Sequence, residues 1–131
     1  MGGYMKDFRK LVVWEKAHLM VLEVYRVTRI FPKDELHGII SQMRRAAVSI
    51  PTNIAEGCGR GTDRDFGRFL HIAMGSANEL EYLLVLSRDL SFLESEVYRE
   101  MESRTIEIKK MLSSLIKSVG NRPLSPLTAE S

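Results

Sequence analysis

Apolar residues return every three or four positions along most of the chain, which is the spacing of one face of an α-helix. The first such segment places them at Trp14, Ala17, Val21, Val24, Thr28 and Phe31. Three later segments repeat this spacing, and no useful stretch alternates apolar and polar residues as a strand would. The pattern therefore predicts an all-α fold, an antiparallel up-and-down four-helix bundle with helices over about 13–31, 35–57, 63–90 and 96–119.

Helix-breaking and helix-capping residues stand at the ends of these segments. Pro32 ends the first helix, because the residue before a proline is driven out of the α region. Pro51 lies inside the second stripe without shifting its register, which predicts a kinked but continuous helix. The glycine-rich run at 57–61 predicts a left-handed cap after that helix, and Thr62 is a favoured N-cap for the third.

Length and composition favour one domain, with the bundle over residues 1–120 and a flexible C-terminal tail over 121–131. One cysteine, no secretory leader and no apolar stretch long enough for a bilayer predict a cytoplasmic protein without disulfides or a membrane partner. The 19 Lys+Arg and 17 Asp+Glu residues give a net charge of +2, so overall charge does not indicate a nucleic-acid partner.

Extra apolar residues on two of the predicted helices favour a homo-oligomer, because a second apolar stripe is best explained by burial on a second side. They are Leu19, Met20, Leu22 and Val27 on the first helix, and Phe69, Ile72, Leu83, Val85 and Leu86 on the third. The second helix also has a stripe of small and polar residues that predicts an oligomer interface, although a solvated face explains it equally well. The stripe is Gln42, Ala46, Ser49, Asn53 and Glu56.

Five arginines in and around the second and third predicted helices are the candidate nucleic-acid ligands. Arg60, Arg64 and Arg68 are spaced by four at the amide-rich start of the third helix, a setting that suits a phosphate. Arg44 and Arg45 form a second basic pair on the preceding helix. The neighbouring aspartates at 63 and 65 offer a competing explanation, in which the arginines only form ion pairs at the surface.

Other candidate sites carry less weight, so no catalytic residue, metal ligand or cofactor is predicted. The glycines at 57, 59 and 61 follow a helix rather than a strand and precede no lysine, unlike nucleotide-binding loops. A carboxylate and a histidine are spaced by three in two places, Glu15 with His18 and Asp34 with His37. A di-iron bundle needs further inward carboxylates, which these pairs lack. Cys58 lies in the glycine-rich turn and is more simply a bystander than a reactive thiol.

Three separated blocks resemble the bacterial four-helix bundle proteins called 23S rRNA intervening-sequence proteins. The blocks are LVVWEKA (11–17), SQMRRAAVSIPTNIAEGCGR (41–60) and FGRFLHIAMGSANELEYLL (66–84), within a resemblance covering about residues 7–120. This resemblance implies homopentamers, and some members are encoded within insertions in ribosomal RNA genes. The family is also similar to the accessory protein of diversity-generating retroelements, a pentameric bundle thought to bind RNA and a reverse transcriptase.

The sequence thus predicts a non-enzymatic, homo-oligomeric bundle, a pentamer by resemblance, that binds RNA or a ribonucleoprotein through arginines. Repeating a weak phosphate site around a ring raises the effective concentration, so a nearly neutral subunit can still hold a long polyanion. The alternative is a protein–protein scaffold, such as an accessory factor for a reverse transcriptase of a diversity-generating retroelement, in which the arginines form ion pairs.

Overall fold

The computed structural model describes residues 7–120 and contains four long helices in this range. They are α1 (Val12–Thr28), α2 (Ser41–Cys58), α3 (Asp63–Asp89) and α4 (Ser95–Gly120). Short helical turns lie before α1 at Phe8–Lys10 and before α2 at Lys33–Glu35 and Leu36–Ile40, and the described part of the chain has no strand. The predicted all-α four-helix bundle is confirmed, whereas the tail at 121–131 lies outside the described residues.

Each helix packs against the helices that precede and follow it, and α1 also packs against α4. The α1 and α3 helices are therefore diagonal partners whose outer faces point in opposite directions. The core contains most of the residues that the helical spacing selected, among them Ala17, Met43, Ile50, Leu80 and Leu112, all with no accessible surface. Burial of these apolar side chains is the main stabilising contribution to the bundle.

The start of the second helix differs from the predicted position. We expected one helix over about 35–57, but the regular helix α2 begins at Ser41, because Gly38 in the preceding turn has non-helical angles, with φ −109° and ψ −114°. The Glu35 carboxylate accepts a 3.5 Å hydrogen bond from the backbone N–H of Ile39 after this break. From Ser41 onward, α2 runs through Pro51, which confirms the predicted continuity.

The connection between α2 and α3 confirms one predicted cap and contradicts the other. Thr62 Oγ1 accepts a 3.1 Å hydrogen bond from the Asp65 N–H, as an N-cap should. The left-handed glycine is absent: Gly59 follows α2 with φ −86°, and no described glycine has positive φ. Gly57 is needed for space instead, since a Cβ there would lie 2.9 Å from Phe66 Cδ1 and 3.0 Å from Phe69 Cβ.

The left-handed cap occurs at the end of α3, at a residue that the sequence analysis did not select. Ser91 has φ 65°, the one positive value among described non-glycine residues. Its N–H donates to the Arg88 carbonyl at 2.9 Å, and the Phe92 N–H donates to the Ser87 carbonyl at 2.8 Å. These two bonds form a Schellman motif, which reverses the chain into α4.

Candidate nucleic-acid interface

A groove of about 880 Å³ lies along α2, between α1 on one side and α3 on the other. Arg44 and Arg45 line it from α2, Tyr25 from α1, and Ser76 and Glu79 from α3. Glu79 is the only acidic side chain in the lining, so the groove has a basic character.

Arg44 is held in place by two contacts with α1. Its Nε donates a 3.0 Å hydrogen bond to Thr28 Oγ1, and its guanidinium lies 4.6 Å from the centre of the Tyr25 ring. Both partners are uncharged, which leaves the positive charge of Arg44 uncompensated and its two terminal nitrogens available. A positioned guanidinium of this kind is well suited to a phosphate oxygen pair.

Arg45 lies one residue further along α2 and is exposed. Its Nη1 donates a 2.8 Å hydrogen bond to Ser41 Oγ, another uncharged partner. Neither Arg45 nor Arg44 pairs with a carboxylate anywhere in residues 7–120. The predicted basic pair is thus a pair of uncompensated charges on one groove.

The other three arginines surround the turn between α2 and α3. Arg60 and Arg68 both lie against the Phe69 ring, with guanidinium carbons 4.8 and 4.5 Å from its centre. Each also has an exposed carboxylate neighbour: Glu56 is 3.2 Å from Arg60, and Asp65 is 3.7 Å from Arg68. Arg64 is exposed, and its side chain has no ion pair or hydrogen bond within the described range.

The five arginines therefore do not form one continuous surface. Arg60 lies sixteen positions after Arg44 along α2 and the following turn, which corresponds to about 24 Å at the rise of an α-helix. Ion pairing, the competing explanation, accounts for Arg60 and Arg68 in part, whereas Arg44, Arg45 and Arg64 have no carboxylate partner among residues 7–120. The roles assigned to all five in RNA binding remain predictions.

The small and polar stripe predicted as an oligomer interface lies partly against α3 of the same chain. Ala46 is buried in the core, and Ser76 Oγ of α3 donates a 2.7 Å hydrogen bond to Ser49 Oγ. Asn53 Nδ2 donates to the Ser49 carbonyl at 2.8 Å. Gln42 and Glu56 are exposed. The small residues thus allow a close helix contact within the subunit, and their part in an oligomer remains a prediction.

The structure divides the extra apolar residues of α1 and α3 into three groups. Met20, Val27, Phe69 and Leu83 are buried within the subunit. Val85 and Leu86 are partly buried against the core. Leu19, Leu22 and Ile72 remain exposed on the outer sides of their helices. Helical spacing alone did not separate these groups, because the width of the buried face depends on where neighbouring helices lie.

His18 takes part in an aromatic cluster that the sequence analysis missed. Its ring stacks on that of Trp14 with the two ring centroids 5.1 Å apart, and the Phe8 ring centroid lies 4.9 Å from that of Trp14. The spacing of four residues between Trp14 and His18 was the signal available. Over residues 7–120, no three His, Cys, Asp or Glu side chains lie together as a metal site would require.

The Cys58 side chain is buried at the end of α2, which removes it from solvent. None of the helices within the described range is long and apolar enough to cross a bilayer.

The fold and its groove define a small four-helix bundle protein with a basic groove along α2. The family model described as 23S rRNA-intervening sequence protein matches residues 9–114, and the chain belongs to this family. A similar solved structure is a protein of unknown function from the S23 ribosomal protein family of Bacteroides thetaiotaomicron. The two chains share 29% identity over 81% of this chain and 99% of the other, with a TM-score of 0.76. A comparison with curated proteins gives no match.

Proposed function

We propose that this protein is a cytoplasmic, non-enzymatic homo-oligomer that binds RNA by its phosphates, with the groove along α2 as the main contact surface. The supporting observation is the uncompensated charge of Arg44 and Arg45, whose hydrogen-bond partners are the hydroxyls of Thr28 and Ser41. An arginine paired with a carboxylate must lose that partner to bind a phosphate, whereas these two need not. The membership of a family named for a ribosomal RNA insertion adds support, and it is not a known enzyme family.

The remaining arginines contribute to this proposal unequally. Arg64 is exposed and has no carboxylate partner within residues 7–120, so it extends the surface towards the α2–α3 turn. Arg60 and Arg68 each have a carboxylate neighbour and contribute less. A near-neutral subunit with two or three free guanidiniums binds weakly by itself. Repetition in an oligomer, a pentamer by family resemblance, raises the effective concentration at each further site.

The test replaces Arg45 and Arg64 by glutamine and measures binding of labelled single-stranded poly(U) by fluorescence anisotropy across a salt series. The logarithm of affinity falls with the logarithm of salt by about 0.7 for each phosphate contact to a single strand. We expect Arg45→Gln/Arg64→Gln to weaken binding and to flatten that slope by about 0.7 for each arginine in contact. Phosphate contacts carry no base information, so poly(A) should respond alike.

Arg99→Gln provides the matched control. Arg99 is exposed and has no carboxylate partner among the described residues, but it lies on α4, which is diagonal to α2 across the bundle. The Arg99→Gln variant should leave the dependence of RNA affinity on salt unchanged. Equal losses in both variants would mean that only net charge matters. If wild-type protein binds no RNA while the double variant loses a protein partner, the scaffold function is correct and this proposal is wrong.

A further inference from the structure

The outer side of α1 carries a seam of residues that no other part of the described chain covers. Leu19 and Leu22 are about half exposed there, at 50% and 53%. Charged residues continue the seam at intervals of three and four, the spacing of a helix that packs lengthwise along another helix. The α1 seam consists of Glu15, Leu19, Leu22, Arg26 and Arg29.

The outer side of α3 carries a second seam with the same spacing. Its exposed apolar members are Ile72 and Tyr82, the latter with 60% of its surface accessible. Between them lies Gly75, where an added Cβ would meet nothing within 4 Å. A glycine inside a helix is destabilising relative to alanine, so this one weakens α3 without improving packing in the subunit. The α3 seam consists of Arg68, Ile72, Gly75, Glu79 and Tyr82.

The two seams match each other in one parallel register. Every residue of the α3 seam is numbered 53 above its counterpart in the α1 seam. This register places Leu19 beside Ile72 and Leu22 over Gly75, where the missing side chain leaves room for it. We propose that the α1 seam of one copy of this chain docks on the α3 seam of the next copy, with the helices parallel.

The charges in this register are complementary. Glu15 comes opposite Arg68, Arg26 opposite Glu79, and Arg29 opposite the Tyr82 ring. Neither Glu15 nor Glu79 has an ion-pair partner within residues 7–120 of its own chain. Arg26 binds Glu23 through Nε and Nη2, which leaves Nη1 for a second carboxylate. A carboxylate without a partner in the subunit thus acquires one in the neighbouring copy.

The same register lets the assembly close into a ring. Within one subunit, Arg44 of α2 contacts Thr28, and Ser49, five residues further along, contacts Ser76 of α3. Because α1 runs antiparallel to α2, the α1 residue at the height of Ser49 is five before Thr28, which is Glu23. Glu23 therefore lies at the height of Ser76, and their residue numbers also differ by 53. A contact at equal height adds no rise from copy to copy. Because α1 and α3 lie on opposite sides of the subunit, the contact is head-to-tail. It closes into a ring when a rotation between successive copies adds up to a full turn.

The contact also bears on the groove, and this part rests on the proposed RNA binding. Glu79 is the one carboxylate in the groove lining, and the docked Arg26 of the next copy would neutralise it. The groove becomes fully basic only in the assembled ring. RNA affinity per subunit should therefore fall when the seam is broken, even though Arg44 and Arg45 are intact.

Cysteine cross-linking tests the register directly. Leu22→Cys and Gly75→Cys chains, co-expressed with distinguishable tags and oxidised, should form a disulfide-linked dimer of about twice 15.0 kDa. Either variant expressed alone should stay at 15.0 kDa on a non-reducing gel. The native Cys58 is buried and should not form a disulfide with the introduced cysteine. Cross-linking of Leu22→Cys chains with themselves would show a symmetric contact through α1 and would overturn the proposal.

Light scattering on point variants provides the second test. Leu22→Glu should reduce the mass from a multiple of 15.0 kDa to the single chain, whereas Leu90→Glu, at a similar exposure of 47% but outside both seams, should not. Gly75→Ala should raise the thermal midpoint when it is added to the monomeric Leu22→Glu chain, because alanine favours the helix. Added to the wild type it should weaken assembly, a combination that a merely structural role does not produce.

Failure of this inference is distinguishable from failure of the RNA proposal. An oligomer that persists in Leu22→Glu and Gly75→Ala overturns the seam, whatever RNA binding is found. A wild-type monomer at tens of micromolar overturns it as well. Loss of poly(U) binding in Arg45→Gln/Arg64→Gln, with the mass unchanged, supports RNA binding independently of the seam.

Discussion

Arg44 and Thr28 are joined across the α1–α2 contact by a 3.0 Å hydrogen bond from Nε to Oγ1. The same hydroxyl donates to the Val24 carbonyl at 2.7 Å, so the Thr28 side chain is fixed by its own helix before it accepts from Arg44. Thr28 is buried and Arg44 is half-buried. A core threonine therefore sets the position of a charged side chain in the groove.

Thr28→Val tests this arrangement by removing the hydroxyl while keeping the shape of the side chain. We expect a loss of about 1 kcal/mol in the free energy of unfolding, because the half-buried Arg44 Nε loses its acceptor. Poly(U) affinity should also fall, since Arg44 is no longer held against the groove wall. Urea unfolding and anisotropy measure the two effects.

Thr105→Val is the matched control for that change. Thr105 is equally buried and its Oγ1 donates to the carbonyl of Met101 at 2.8 Å, but no arginine bonds to it. The difference in stability between the two variants isolates the Arg44 contact. Equal losses of stability with unchanged RNA affinity would show that Thr28 does not position Arg44.

Gly57→Ala should destabilise the bundle by about 1–3 kcal/mol. The added methyl group would lie 2.9 Å from Phe66 Cδ1 and 3.0 Å from Phe69 Cβ, where α2 and α3 approach each other. Gly67→Ala provides the comparison, because its Cβ would make only an ordinary 3.8 Å contact with Val119. That variant should gain up to about 1 kcal/mol from helix propensity. The same sign of change in both would contradict the close approach at Gly57.

Glu23 contributes stability that depends on pH. Its side-chain hydrogen bond with Arg26 holds the pKa of the carboxyl below its usual value. The contribution is therefore present above the unfolded pKa of about 4.3 and is lost as pH falls through the lower folded value. We expect Glu23→Gln to cost about 0.3–0.5 kcal/mol at pH 7, because the pair is partly exposed, and almost nothing at pH 3.

Urea midpoints at the two pH values measure this difference, with Glu94→Gln as the control. Glu94 is exposed and has no ion-pair partner among residues 7–120. A Glu23→Gln cost that is the same at pH 3 as at pH 7 would exclude the ion pair as its origin.

The sequence alone predicted the four helices, the continuity through Pro51 and the cap at Thr62. Each depends on the types and spacing of a few neighbouring residues, and these can be read directly from the sequence. The start of α2 and the cap at Ser91 were missed for the opposite reason. Gly38 interrupts a segment with helical spacing, and a serine adopts a left-handed angle that is common only for glycine, because the chain must reverse there into α4.

The candidate site divides in the same way. Sequence identified all five arginines and the apolar residues of α1 and α3, since residue type and spacing are local properties. Only the tertiary structure decided that Arg44 bonds to Thr28, that Arg60 and Arg68 share the Phe69 ring, and that Ser49 bonds to Ser76. Those contacts join residues on different helices or on opposite sides of a turn. They depend on the relative rotation and height of packed helices, which a helical repeat within one segment does not specify.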